Sequence, residues 1–105
     1  MTFHPMDWIE KELLQVKYRL QAEALEELAR NVKEAMDDFH RAVYLYKHNC
    51  DIYLSGWGGK AYGTFLTIGE QLQMESRRAY YISDQLIDEL HRQASRLREK
   101  ADGLD

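Results

Sequence analysis

The stretch LSGWGGKAYGTF, Leu54–Phe65, interrupts a chain that otherwise has a helical pattern of apolar residues. On both sides of it, apolar side chains recur every three or four residues over about forty residues, which is typical of amphipathic helices. Gly56, Gly58 and Gly59 can adopt the positive φ angles that a tight helix–helix connection requires. The interruption is therefore predicted to be the turn between two long helices.

This pattern predicts an all-α fold, an antiparallel helical hairpin formed by a single domain of residues 1–105. Its parts are expected at these positions: helix one at about 7–54, the Trp-x-Gly turn at 55–59 and helix two at about 60–102. Asp7 is a good N-cap residue, and Glu10 follows it at the spacing of a capping box. Gly103 stands where a C-cap glycine is expected.

Each helix carries more apolar surface than one partner helix covers. On helix one, the main series begins with Ile9, Leu13, Val16, Leu20, Ala24 and Leu28, and beside it lie Leu14, Tyr18, Leu25 and Ala29. On helix two, the main series runs from Phe65 to Ala101, and beside it lie Leu66, Gln73, Tyr80, Ile87, Ala94 and Ala101. Two helices of roughly 60 Å leave such surface uncovered. We therefore expect hairpins to pair into a four-helix bundle, as a homodimer or a heterodimer.

Composition excludes several classes of partner. The formal net charge of −4 argues against binding to nucleic acid, which requires a basic face. No run approaches the roughly 18 apolar residues of a membrane span, and the start of the chain lacks the pattern of a signal peptide. Because Cys50 is the single cysteine, an internal disulfide is excluded. We expect neither nucleic-acid binding nor membrane insertion.

The polar residues do not predict an active site. The four histidines have no metal-ligand spacing, and no Glu-x-x-His motif of a di-iron bundle occurs. Ser83, Asp84 and His91 do not form a triad, because adjacent residues on a helix point in different directions. We expect no enzyme activity, no metal and no other cofactor.

The placement of Trp57-Gly58-Gly59 resembles that of the WXG family of type VII secretion, the small early-secreted-antigen-like proteins. Trp57 and Gly59 lie in the only break between the two helical segments, and Phe65 follows six residues later. The family shares a helix–Trp-x-Gly–helix hairpin, has an aromatic residue at the Phe65 position and pairs as a four-helix bundle. The resemblance covers essentially the whole chain and implies a cytoplasmic folded dimer that is secreted without a cleavable signal peptide.

A second match lies in helix two, in the segment YYISDQLIDELH. The family's export signal is a Tyr-x-x-x-Asp/Glu element, and Tyr80, Asp84, Ile87 and His91 have the spacing of its extended form. These four residues share one face of a helix beside the main apolar series. We expect Tyr80 and Ile87 to be half-buried and Asp84 and His91 to be exposed. The resemblance implies recognition by the secretion-system ATPase.

Two departures from the family leave an alternative open. Trp57 lies later than usual, so helix one is longer by roughly three turns, and the export motif lies well inside helix two. Both features resemble the small helical proteins that accompany LXG-domain toxins and bind the toxin's helical N-terminal region. A self-pairing secreted member, a targeting partner for an LXG toxin and a non-exported helical adaptor all fit these residues.

Overall fold

The computed structural model describes residues 5–53, 56 and 58–104, which form two long helices packed as an antiparallel hairpin. Helix α1 is Pro5–Tyr53, with 49 residues, and helix α2 is Gly59–Asp102, with 44 residues. The all-α hairpin is thus confirmed, while its pairing into a four-helix bundle stays a prediction.

The start of α1 differs from the sequence-based expectation. Because the helix begins at Pro5, Asp7 lies in the first turn instead of at the N-cap. The predicted capping box of Asp7 and Glu10 is therefore wrong. Proline suits the first helical position, because its φ is already helical and its missing N–H has no partner there. The Asp7 carboxylate still stabilises this end, since the N-terminus of a helix carries partial positive charge.

Helix α2 begins and ends close to the predicted positions, at Gly59 and Asp102. Among the described glycines, Gly59 alone has a positive φ, +40°, and α2 begins at this residue. At the other end, the Gly103 N–H donates to the Glu99 carbonyl at 2.8 Å, so this glycine follows the last helical turn as expected. Leu54, Ser55 and Trp57 lie outside the described residues.

The chain divides into two compact units, of which the first joins Met1–Asn31 to Leu86–Asp105. Small side chains dominate its core: Ala22, Ala29, Ala94 and Ala101 are at most 2% exposed, and Leu90 is 9% exposed. Among the described residues, no large side chain is fully buried. Alanines on both helices allow the backbones to approach closely, but they remove little apolar surface from water.

Polar contacts fix the register of the helices in this first unit. Gln15 Nε2 donates to the Ala101 carbonyl at 3.1 Å. Arg98 Nε and Nη2 both lie 3.0 Å from Glu26 Oε1. Because these side chains are partly exposed, their ion pair contributes little to stability, about 0–1 kcal/mol. Their main effect is to select one alignment of α1 against α2.

In the first unit, helix α1 turns its second apolar series toward α2. Residues of that series are buried or half-buried: Leu14, Tyr18, Leu25 and Ala29. The start of the main series is exposed to solvent, at 45% for Ile9, 64% for Leu13, 52% for Val16 and 59% for Leu20. These four residues form the α1 stripe, which recurs at intervals of four, three and four residues. At about 100° per residue, they lie on the side of α1 away from Ala22 and Ala29.

The second unit is Val32–Gln85, which contains the turn end of both helices. Val43, Leu72 and Ala79 are half-buried in it, while Ser76 is the most buried polar residue, at 3% exposure, among those described. Small and polar residues on α2 here leave a groove beside the apolar contacts, which is where the candidate site lies.

Candidate interaction site

The four residues of the predicted export motif lie along α2, and each has the degree of exposure that the sequence predicts. Tyr80 and Asp84 belong to the second unit, and Ile87 and His91 belong to the first. Tyr80 and Ile87 are half-buried, whereas Asp84 and His91 are exposed. The expected exposure of these side chains is confirmed, while their role in export stays a prediction.

Tyr80 contacts α1 through groups that the sequence did not single out. Its hydroxyl donates to Asp37 Oδ1 at 2.8 Å. The His40 ring meets the Tyr80 ring edge-to-face, with the centroids 5.5 Å apart and the planes at 88°. The partners of Tyr80 across the hairpin are therefore Asp37 and His40, and the carboxylate of Asp84 stays exposed for other contacts.

The hydrogen bond to Asp37 raises the pKa of Tyr80 above its ordinary value of 10.0. Burial and the negative charges of Asp37 and Asp84 act in the same direction, because each disfavours a tyrosinate. Tyr80 therefore remains a neutral hydrogen-bond donor throughout the physiological pH range. Its chemistry suits positioning and recognition, not proton transfer.

A groove of about 630 Å³ lies next to Tyr80 in the second unit. Its lining comes from both helices: His40, Val43, Tyr44, Lys47 and His48 on α1, with Gly69, Gln73, Ser76, Arg77 and Tyr80 on α2. The Tyr44 and His48 rings stack, with the centroids 6.1 Å apart and the planes within 5°. The sequence held one signal of this groove, since positions 69, 73, 76 and 80 share a helical face but carry small or polar residues.

The turn motif is described only in part. Gly59 has the left-handed backbone that suits a connection between helices. Phe65 is half-buried and lines a small cavity of about 110 Å³ that Lys47 and Glu70 also line. The prediction that Trp57 closes the hairpin end or meets a partner falls outside the described residues.

Two findings on the described residues concern metal binding and membrane crossing. They contain no group of three or more histidine, cysteine, aspartate or glutamate side chains that could hold a metal ion. Within the same residues, neither helix includes a stretch that is long and apolar enough to cross a membrane.

Comparisons with known proteins give no relative: no family model, no curated protein and no solved structure matches the chain. The likeness to the WXG family therefore rests on the sequence motifs alone.

Proposed function

We propose that this protein is a small exported subunit of a type VII secretion system, which pairs with a second helical hairpin and presents a Tyr-x-x-x-Asp signal. The observation that carries the proposal is the exposure of the α1 stripe on the side of α1 away from α2. A stripe with alternating spacings of four and three residues is the pattern that packs against another helix.

The accessible surface supports pairing. A compact monomer of 12.4 kDa should expose about 6,100 Å², whereas this chain exposes 8298 Å². The excess, roughly 2,000 Å², is as large as the total surface buried in a stable protein–protein interface. Since the core of the first unit consists mostly of alanines, a second hairpin would supply the apolar burial that the single hairpin lacks.

The export signal is assigned to Tyr80 and Asp84. The bond from Tyr80 to Asp37 fixes the tyrosine ring against α1, and Asp84 lies one helical turn further along with an exposed carboxylate. A half-buried ring beside an exposed charge provides a fixed surface for another protein. Because Asp84 is exposed, removing its charge should leave the fold intact.

Export of an Asp84→Asn variant tests this assignment. We expect the variant to keep its helicity and its state of association but to disappear from the culture medium of a strain with an active type VII system. Asp88→Asn is the matched control, because Asp88 is also exposed, lies one turn further on α2 and undergoes the same change of charge. Export of Asp84→Asn at the wild-type level would show that this subunit does not carry the signal at Asp84.

The state of association decides between self-pairing and the alternative functions. Sedimentation equilibrium of the pure protein at micromolar concentration should show a dimer. A folded monomer would refute self-pairing and favour a heteromeric role, with the α1 stripe bound to the helical N-terminal region of an LXG toxin or to another adaptor partner. A monomer that also binds none of the proteins encoded beside it would refute both forms of pairing.

A further inference from the structure

We propose that the groove of the second unit, between His40–His48 of α1 and Gly69–Tyr80 of α2, binds an acidic, amphipathic helix of a partner protein. This inference rests on the proposed function in its heteromeric form, because it specifies the chemistry of a helical partner other than a second copy of this chain. The groove has a volume of about 630 Å³, which lies within the range of about 300–1,000 Å³ that is usual for small-molecule pockets.

Two small residues, Gly69 and Ser76, lie on the α2 side of the groove. Gly69 contributes no side chain, and a Cβ built there would meet Tyr46 Cε1 at 3.6 Å, an ordinary contact distance. Ser76, two turns further on, is 3% exposed.

The charges around the groove select an acidic ligand. Lys47 of α1 and Arg77 of α2 both line it, and within the described residues neither forms an ion pair. Nearby arginines on the same helices have intrahelical carboxylate partners, as Arg78 has in Glu75 at 3.8 Å. Two cations without partners, facing one groove, favour a carboxylate, which can accept charge-assisted hydrogen bonds from both.

The other polar side chains of the lining can donate hydrogen bonds, and none of them is a carboxylate. His40, His48 and Gln73 carry N–H groups that can donate to a carboxylate. Of the carboxylates at this end, Asp37 already accepts the Tyr80 hydroxyl at 2.8 Å, and Glu70 lines the neighbouring small cavity together with Lys47. Because the whole chain has a net charge of −4, long-range attraction does not bring an acidic partner to it. The selectivity must come from this local group of donors.

The length of the groove along α1 suits about two turns of a helix. On α1 the lining extends from His40 to His48, which corresponds to about 12 Å, or two turns. Val43 and Tyr44 offer apolar surface beside the cations. A partner helix with an acidic residue, and with apolar residues three or four positions away from it, would contact both the cations and the apolar side chains of the groove.

The test uses the full chain and a fluorescein-labelled helical peptide of about 20 residues, long enough to form a helix in water. The peptide consists of leucine, alanine and glutamate, and a matched peptide has glutamine in place of every glutamate. We expect fluorescence anisotropy to show that the acidic peptide binds at least about tenfold more tightly than the glutamine peptide. The double variant Lys47→Gln/Arg77→Gln should lose this preference.

The control is Lys33→Gln/Arg78→Gln, which makes the same change of charge on the same two helices at exposed positions outside the groove. It should keep the preference for the acidic peptide. The reversed variant Lys47→Glu/Arg77→Glu should instead prefer a peptide with lysine in place of glutamate. Both results would support the groove as the site.

Several outcomes would overturn the inference. One is equal binding of the two peptides, and another is an equal loss of preference in the control variant, which would indicate general electrostatics. A changed dimer dissociation constant for Lys47→Gln/Arg77→Gln would assign the groove to a second copy of this chain. Binding of N-acetylglutamate as tight as that of the peptide would assign it to small free carboxylates. If the peptides fail while Asp84→Asn still abolishes export, the proposed function stands without this groove.

Discussion

Replacement of Leu13 by alanine should weaken dimerisation strongly while leaving the single hairpin almost as stable as before. Leu13 belongs to the α1 stripe and is 64% exposed in the isolated chain. The substitution removes about three carbon groups, each contributing about 0.8 kcal/mol when buried. Since about two-thirds of the side chain is still exposed before association, the loss on pairing is about 1.5 kcal/mol per copy. For two copies this corresponds to a dimer that is about 100-fold weaker.

The assay compares two quantities for the same variant. Sedimentation equilibrium over a concentration series gives the dimer dissociation constant, and denaturant unfolding at the lowest usable concentration gives the stability of the monomer. The free energy of monomer unfolding should change by less than about 0.5 kcal/mol, because Leu13 is largely exposed and alanine favours helix formation.

Two control variants separate interface effects from effects on the fold. Glu12→Ala changes the exposed neighbour of Leu13 and should affect neither quantity strongly. Leu90→Ala removes a side chain that is 9% exposed and should lower the stability of the hairpin by about 2–5 kcal/mol. An unchanged dissociation constant for Leu13→Ala would refute the α1 stripe as the interface. A loss of about 2 kcal/mol or more in the monomer would refute its exposure in the single hairpin.

Three further predictions follow from single residues. Ala94→Leu should destabilise the hairpin by about 1–3 kcal/mol, seen in thermal melts, because Ala94 is 1% exposed and the close approach of the helices leaves no room for a larger side chain. Asp37→Asn should lower the pKa of Tyr80 toward 10.0, and NMR titration of labelled tyrosine rings would measure this change. Because the pKa of Tyr80 is raised in the folded state, the stabilisation by the bond to Asp37 is present below pH 10.0. It is lost as the pH rises through the raised pKa. Trp57→Ala should cost about 1–3 kcal/mol in thermal melts if the indole closes the hairpin end, whereas unchanged stability with loss of export would identify it as a recognition residue.

The sequence alone determined the helices and the position of the break between them. Apolar residues at helical spacing are a local signal that can be read from the sequence. The single proline, Pro5, lies at the start of the chain and the glycines Gly56, Gly58 and Gly59 lie at the break, so neither interrupts a helical segment. The exposure of Tyr80, Asp84, Ile87 and His91 was predictable for the same reason, since the position of a residue on a helix relative to its apolar face follows from spacing. The N-cap of α1 was not predicted correctly from the sequence, because the helix begins at Pro5, ahead of Asp7.

The tertiary structure decided which apolar series faces the partner helix. In the first unit both series on α1 have helical spacing, and the start of the main series is exposed because alanines such as Ala29 and Ala94 allow the closest approach of the backbones. It also decided the partners of Tyr80, whose hydroxyl reaches Asp37 across 43 positions of sequence. Contacts of this kind depend on the alignment of two antiparallel helices, and a shift of one turn would exchange every pair while leaving the periodicity of each helix unchanged.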